Sequence, residues 1–404
     1  MKTGLFIFAS PLYKYENTLY YDDAAHQNTV ELCSSMFDEL LIVARCRQVR
    51  KQDLIHKRLS DTGARFVLEL PDFGIGGYKG WLNSLKLFSS LQVYASLKKL
   101  IHSADFVYTE APSLEGLLSA LGTLNTGRSL TFETRGEALL NPDYMFQRFG
   151  RKGLVYTKVF ERTYKIIRKR SRAGLFVSPN LMQRYPVVNG YQAAISDVRL
   201  PQSLLGKPRY FEHPASRFVY VGHLEKIKRV DLILRAFHIV RDRLPSGWQF
   251  NIIGNGPEMP ALQSLVQELG FEANVQFRGR IAWGEALFEF YHKSDVLLMA
   301  STSEGASRTL IEGMACGLPI ISTAVGTAPE LLDPSVIVPV DNLAKYAETL
   351  ACVAMKPEIL TKLALQNQNS VQCFYPSVLY EQRKNFFSQA IQLSQQEKTI
   401  VAHS

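Results

Sequence analysis

The stretch of residues 299–331 constrains the fold of this chain more than any other part of the sequence. An apolar run at 295–300 leads into it and predicts a buried parallel strand. A small polar turn follows, and then a run of helix formers over 306–316, which Gly317 ends. A second apolar run at 319–322 predicts the next strand. The order strand, turn, helix, strand is the repeating unit of α/β folds with a parallel sheet.

Two glutamates mark this unit. Glu304 lies in the predicted turn at the carboxyl end of the strand, and Glu312 lies eight residues later, along the helix. That spacing does not place them on one helix face, but ligands of open α/β sheets bind at the carboxyl ends of the strands. Backbone N–H groups at the start of the helix, at Gly305, Ala306 and Ser307, add partial positive charge. Together these groups suit an anionic ligand rich in hydroxyls, such as a sugar nucleotide.

The segments 304–319 and 325–330 resemble the signature of the retaining glycosyltransferases of family four. That signature is a Glu, seven residues, a second Glu, Ala-Met-Ala-X-Gly-X-Pro, and a Val-Gly-Gly-X-X-Glu turn. Gly313 and Thr327 are small departures from it. Members of the family have the GT-B fold, so the resemblance implies an α/β chain with two facing Rossmann-like domains and a cleft between them.

The length of 404 residues also predicts two domains. Apolar runs alternate with helical patterns over 1–205, and the Pro-rich segment 201–216 predicts a linker. We expect an N-terminal acceptor-side domain over 1–205 and a C-terminal donor-binding domain over 206–375. From the resemblance, we expect the terminal helix, 376–394, to pack back on the first domain.

Composition indicates a globular protein that works in the cytoplasm. No apolar run reaches the roughly 18 residues of a membrane-spanning helix. The five cysteines are scattered and include no Cys-X-X-Cys pair, which argues against a disulfide framework or a zinc site. The resemblance implies no bound metal and no cofactor, because the nucleoside diphosphate sugar is itself the donor substrate.

The loop after the first strand of the second domain holds further predicted donor contacts. Gly222 lets the backbone approach a diphosphate, and the resemblance makes Lys228 a phosphate ligand. The family usually has an arginine where this chain has His223, and a glycine where it has Arg229. We therefore expect a protonated His223, or Arg229 or Lys226 in its place, to neutralise the phosphates.

The turn at Gly254 begins a Gly-X-Gly fragment that lacks the third glycine of a dinucleotide fingerprint, because Met259 stands there. The fragment is therefore weak evidence for NAD, and the resemblance places the turn beside the nucleotide pocket. Arg280, at the end of the next strand, is expected either to contribute to that pocket or to be an ordinary loop arginine.

In the first domain, Glu133 and Arg135 follow a predicted strand and are candidates for the acceptor pocket. A salt bridge within the loop is the equal alternative for both. His26 is expected on a helix surface rather than as a catalytic base.

The segment 148–172 contains ten lysines and arginines and one glutamate, so its net charge equals the +9 of the whole chain. On a helical wheel most of these cations cluster on one side, with aromatic and branched residues opposite. Such a helix is typical of a protein that binds an anionic membrane surface, and a solvated face of a packed helix is the alternative. No nucleic-acid-reading motif accompanies the charge.

The resemblance implies a hexosyltransferase that uses a nucleoside diphosphate sugar and retains the configuration of the sugar. Glu304 would hold the sugar hydroxyls, Glu312 the ribose, and Lys228 the departing diphosphate. The expected acceptor is a glycan or a lipid-linked precursor of a cell-surface polysaccharide or glycolipid. The departures at His223 and Thr327 leave open a non-catalytic homologue that binds sugar nucleotides, and a GT-B epimerase is the other alternative.

Overall fold

The computed structural model describes residues 2–21, 24–50, 57–70, 91–136, 138–198, 200–201, 204–205, 209–304 and 307–402. The chain divides into two compact units, one formed by Met1–Asp197 with Leu379–Ser404 and the other by Val198–Val378. The linker begins earlier than predicted, because the buried side chains of Val198, Leu200 and Leu204 belong to the second unit.

The first unit is built on one sheet. Its strands are β1 (Thr3–Ile7), β2 (Leu12–Tyr15), β3 (Thr18–Tyr20), β4 (Glu39–Gln48), β5 (Arg65–Leu70), β6 (Phe106–Glu110), β7 (Leu130–Thr134), β8 (Ser171–Phe176) and β9 (Tyr191–Ala194). The order is β3-β2-β4-β1-β6-β7-β8-β9, with β5 beside β4, and only the β2–β3 pair is antiparallel among these strands. The central strands are buried along their whole length, as in a sheet covered on both faces.

Helices cover this sheet. They are α1 (Ala24–Ser34), α2 (Leu91–Ser103), α3 (Leu114–Gly122), α4 (Pro142–Phe149), α5 (Arg151–Arg170) and α6 (Pro179–Arg184), with short 3-10 turns at Leu59–Thr62 and Ala138–Leu140. The amphipathic pattern of residues 81–102 predicts a helix, which is observed from Leu91, and residues 81–90 lie outside the described residues.

The basic segment is not one helix. Gly150, at a φ of 61°, separates α4 from α5, and Arg172 lies in β8 instead of on the predicted helical face. Arg168 is also not a free surface cation: its Nε donates to the carbonyl oxygen of Pro186 at 2.7 Å, and its guanidinium lies over the ring of Tyr164.

The second unit repeats the α/β pattern. Its strands are β10 (Arg217–Val221), β11 (Gln249–Ile253), β12 (Val275–Gly279), β13 (Val296–Leu298), β14 (Ile320–Thr323) and β15 (Ile337–Val338). They are parallel, in the order β12-β11-β10-β13-β14-β15. Its helices are α7 (Val230–Val240), α8 (Met259–Glu268), α9 (Glu285–Lys293), α10 (Arg308–Ala315), α11 (Ala328–Leu331), α12 (Leu343–Ala354) and α13 (Pro357–Ser370), with 3-10 turns at Lys226–Lys228, Arg241–Arg243, Pro334–Val336 and Val371–Phe374.

The last helix, α14 (Pro376–Ala402), begins in the second unit and belongs to the first from Leu379 onward. Phe386 and Phe387 are fully buried there, and Phe387 stacks on Phe6 of β1. The helix extends beyond its predicted end at residue 394. Within the described ranges, none of the helices has both the length and the apolar character that crossing a bilayer requires.

Candidate active site

A cavity of about 730 Å³ opens at the carboxyl ends of β10, β11 and β12 in the second unit. It is lined by four of the predicted donor residues, Gly222, His223, Gly254 and Arg280. Backbone hydrogen bonds tie the strand ends together, since the N–H of Gly222 donates to Ile253 and that of Gly254 donates to Gly279. Because glycine has no side chain, the backbone itself forms part of the cavity wall, and such close access to the backbone suits a diphosphate.

Gly254 is required by this geometry. Its φ is 143°, a conformation that side chains rarely adopt, and a Cβ there would lie 1.8 Å from the carbonyl oxygen of Gly222. A Cβ on Gly256 would similarly lie 2.3 Å from the carbonyl oxygen of Leu224. The two loops therefore approach within backbone contact, which only glycine permits.

Lys228 and Glu304 are brought together from different parts of the unit. The Nζ of Lys228 lies 2.6 Å from Oε1 of Glu304, and the hydroxyl of Ser301 donates to the same oxygen at 2.7 Å. Both side chains are mostly buried. A cation and a carboxylate are thus paired in the second unit, and neither is among the described residues that line the cavity.

Arg229 has an unusual backbone conformation and forms two ion pairs. It adopts a left-handed backbone conformation with a φ of 48°, which explains why the family usually has a glycine at this position. Its guanidinium forms ion pairs with Asp231 and Asp341. Arg229 is therefore paired with two aspartates, as Lys228 is with Glu304, whereas the exposed His223 lines the cavity.

Glu312 is buried on α10 and accepts two hydrogen bonds. The indole Nε1 of Trp283 donates to Oε1 and the hydroxyl of Tyr291 donates to Oε2, both at 2.9 Å. Burial raises the pKa of Glu312, and the two hydrogen bonds oppose that shift. Trp283 is 51% exposed, and its contact with Glu312 was not predicted from the sequence. The signal that could have indicated it is a single tryptophan in the loop after β12.

The start of α10 lies between the two glutamates. Ser307 caps the helix, its Oγ accepting from the N–H of Leu310 at 3.4 Å. Gly305 and Ala306, both predicted to contact the donor, lie outside the described residues.

In the first unit, a cluster of charged groups lies at the carboxyl ends of β6 and β7. His26 was predicted on a helix surface, but it is only 1% exposed because α1 packs its imidazole against Phe8. Its Nε2 lies 2.6 Å from Oε1 of Glu110, whose Oε2 accepts from the N–H of Ala9. Burial alone would raise the pKa of Glu110, but the charges of His26 and Arg135 hold it below its usual range.

Glu133 is fully buried and binds α14 to the sheet. Its carboxylate lies 3.1 Å from the guanidinium of Arg383 and accepts from the hydroxyl of Tyr108. Arg135 lies 3.6 Å from Glu133 and 3.4 Å from Glu110. Burial by itself would raise the pKa of Glu133, but the charges of Arg383 and Arg135 lower it below its usual value. Glu133 is therefore a structural anion, and Arg135 is the more accessible member of the cluster.

Most of the second unit matches a sequence-family model. Residues 215–355 match the family model described as "Glycosyl transferases group 1". This group 1 segment includes the cavity, the Lys228–Glu304 pair and Glu312.

Comparison with known proteins extends the likeness to the whole chain. Protein CapJ of Staphylococcus aureus is 21% identical over 379 residues, which cover 91% of this chain and 90% of that protein. Seven other curated relatives align over only 29% to 52% of their own lengths.

Two solved structures have the same fold. Sucrose-phosphate synthase from Thermosynechococcus elongatus superposes with a TM-score of 0.71 at 18% identity, covering 98% of this chain and 100% of that chain. Anabaena Alr3699/HepE in complex with UDP superposes with a TM-score of 0.66 at 16% identity, covering 96% and 100%. These likenesses confirm the predicted GT-B fold.

Proposed function

We propose that this protein is a glycosyltransferase that moves a hexose from a nucleoside diphosphate sugar to a glycan or lipid-linked acceptor, with retention of configuration. The observation that carries the proposal is the glycine-lined cavity at the strand ends of the second unit, together with the Lys228–Glu304 ion pair of the same unit. The group 1 segment and the UDP complex of the Anabaena neighbour support a nucleotide sugar as the donor.

The two members of the pair have different roles in this proposal. The Nζ of Lys228 faces the negative charge that grows on the leaving diphosphate, where a preorganised donor lowers the barrier most. Glu304, oriented by the hydroxyl of Ser301, accepts hydrogen bonds from the hydroxyls of the sugar. Glu312, held by Trp283 and Tyr291, keeps lone pairs for the ribose hydroxyls.

The first test is a thermal-shift screen of nucleoside diphosphates, with UDP tested first. A ligand at 100 times its Kd stabilises the folded protein by about 2.7 kcal/mol, which raises the melting temperature of a unit of this size by about 5–10 °C. A parent protein that no nucleoside diphosphate stabilises would contradict donor binding.

Transfer is tested with the matching diphosphate sugars and a panel of acceptors. Glu304→Gln should lower turnover by orders of magnitude and keep the fold, because the amide replaces an acceptor by a donor. Glu268→Gln, on an exposed turn of α8, makes the same change outside the site and should be unaffected. Conversion of the donor to an epimeric sugar nucleotide without any acceptor would refute transfer.

We also propose that the first unit binds an anionic membrane surface through α5, which would bring a lipid-linked acceptor close. Four exposed cations follow one face of this helix: Lys158, Arg162, Lys165 and Lys169. We name these four residues the cation stripe. Three apolar side chains next to it are exposed as well: Leu154 (40%), Val155 (58%) and Ile166 (40%). Each cation near an anionic leaflet contributes about 1 kcal/mol, and exposed apolar side chains can enter the interface.

Sedimentation with vesicles tests this surface. The parent should pellet with vesicles that contain anionic lipid, and binding should fall at high salt, because the Debye length is about 8 Å at physiological ionic strength. Replacing Lys158, Arg162 and Lys165 by Glu should abolish pelleting. The same charge change at three exposed cations of the second unit, Arg235, Arg243 and Lys356, is the control. Equal loss in both variants would show that only total charge matters.

A further inference from the structure

A second cavity lies at the amino ends of β7, β8 and β9, the edge of the first sheet opposite the Glu110–Glu133 cluster. Its volume is about 1000 Å³, within the range of small-molecule sites. Three arginines line it: Arg128, Arg170 and Arg172. Among the described lining residues there is no carboxylate, so the positive charge of this groove has no acidic neighbour on its wall.

Two of the arginines are held in place. The Nε and Nη2 of Arg128 donate to the carbonyl oxygen of His102 at 3.2 and 2.9 Å, and Nη1 of Arg172 donates to that of Asn189 at 3.3 Å. The Nη1 of Arg128 is buried and makes no hydrogen bond within the described part of the chain. That nitrogen has no accessible surface, so a ligand in the groove would meet the exposed side chains of Arg170 and Arg172, whose guanidinium groups can bind an oxyanion in a fork geometry.

The rest of the wall is made of amides and one ring. The amide side chains are Asn125, Asn189, Gln389, Gln392 and Gln396. The three glutamines follow one exposed face of α14, at i, i+3 and i+7. Tyr191 is fixed by stacking on Phe386, at 5.4 Å between ring centroids and 23° between planes.

We propose that this groove binds an acidic oligosaccharide. Guanidinium groups recognise its carboxylate or phosphate groups, amides both donate to and accept from its hydroxyls, and a held aromatic ring offers an apolar face to a sugar ring. A flat membrane surface would use the charge but would not need the five amides of the wall. This site goes beyond the proposed donor and acceptor chemistry, because binding here requires no transfer.

The probe is a fluorescent hexamer of galacturonic acid, titrated into the full-length protein, with a hexamer of glucose as the neutral comparison. The acidic hexamer should bind, more weakly at high salt, and the neutral hexamer should bind far less. Arg170→Gln/Arg172→Gln should weaken binding of the acidic hexamer by about tenfold or more, since each hydrogen bond to a charged group contributes substantially to the affinity. Arg162→Gln/Lys165→Gln removes the same charge from the cation stripe, outside the groove, and should change affinity less than about twofold.

Vesicle sedimentation distinguishes binding of an oligosaccharide in the groove from binding of a membrane by the cation stripe. The groove variant should still pellet with anionic vesicles, whereas the stripe variant should bind the hexamer and pellet less. Thermal stabilisation by UDP should be the same in both, so failure of the groove is distinguishable from failure of the donor site. If the arginine variant does not fold, Gln389→Glu/Gln392→Glu places two carboxylates on an exposed helix face in the groove and should abolish hexamer binding. No binding by the parent, equal weakening in both double variants, or equal affinity for the neutral hexamer would overturn the proposal.

Discussion

Replacing Arg383 by Met tests whether the last helix is held to the first unit by a buried charge. The guanidinium lies 3.1 Å from a carboxylate of Glu133 that has no exposed surface, and a hydroxyl of Thr29 accepts from the same nitrogen. Removing one partner of a buried ion pair costs about 3–5 kcal/mol, because the other charge is left in a low-dielectric site. Met keeps most of the packing volume, and Arg135 stays 3.6 Å from Glu133, so the lower end of that range, about 3 kcal/mol, is expected.

For a unit of this size, about 3 kcal/mol lowers the melting temperature by roughly 6–12 °C, measurable by calorimetry or by urea unfolding. Lys384→Met removes an exposed cation from the next position of the same helix and should change stability by less than about 0.5 kcal/mol. The double variant Glu133→Gln/Arg383→Met should regain part of the loss, because no unpaired charge remains. A loss below about 1 kcal/mol in Arg383→Met, or a double variant worse than the sum of the singles, would refute the reasoning.

Three further predictions concern the buried carboxylates of the first unit at low pH, the turn at Gly254, and His223. The pKa values of Glu110 and Glu133 lie below their usual range, so the stability that their charged forms contribute is present above about pH 4.5 and is lost as the pH falls. The free energy of unfolding, measured from pH 7 to 3, should therefore depend less on pH in Glu133→Gln/Arg383→Met than in the parent. Gly254→Ala should destabilise the second unit by more than about 2 kcal/mol and abolish stabilisation by UDP, whereas Gly136→Ala, where a Cβ meets nothing within 4 Å, should fold normally. His223→Arg should tighten binding of the nucleoside diphosphate in calorimetric titration, since a permanent fork-shaped cation then lines the cavity; unchanged or weaker binding would show that this side chain does not face the phosphates.

The cavity of the second unit was largely predictable because its signals are local in the sequence. Gly222 and Gly254 each follow a strand of the second unit, and the parallel register of β10 and β11 brings both to one edge. Glu304 precedes the short helix α10 and Glu312 lies on it, so both could be assigned to one strand–helix unit from the sequence. Other details depend on backbone conformation, as at Arg229, whose left-handed φ and two aspartate partners have no signal in the sequence.

The first unit was less predictable because its charged cluster is assembled from distant positions. Glu133 meets Arg383 across 250 residues, and His26 meets Glu110 across 84. No periodicity records such a pair, and a histidine on a helix has no local feature that separates a buried partner of a carboxylate from a solvated side chain. Glu133 is paired with Arg383 of the terminal helix, and Arg135 lies 3.4 Å from Glu110 and 3.6 Å from Glu133 at the carboxyl ends of β6 and β7. The terminal helix therefore does two things in the first unit: it fixes the charge balance at the carboxyl edge through Arg383, and it supplies the glutamine wall of the groove at the amino edge.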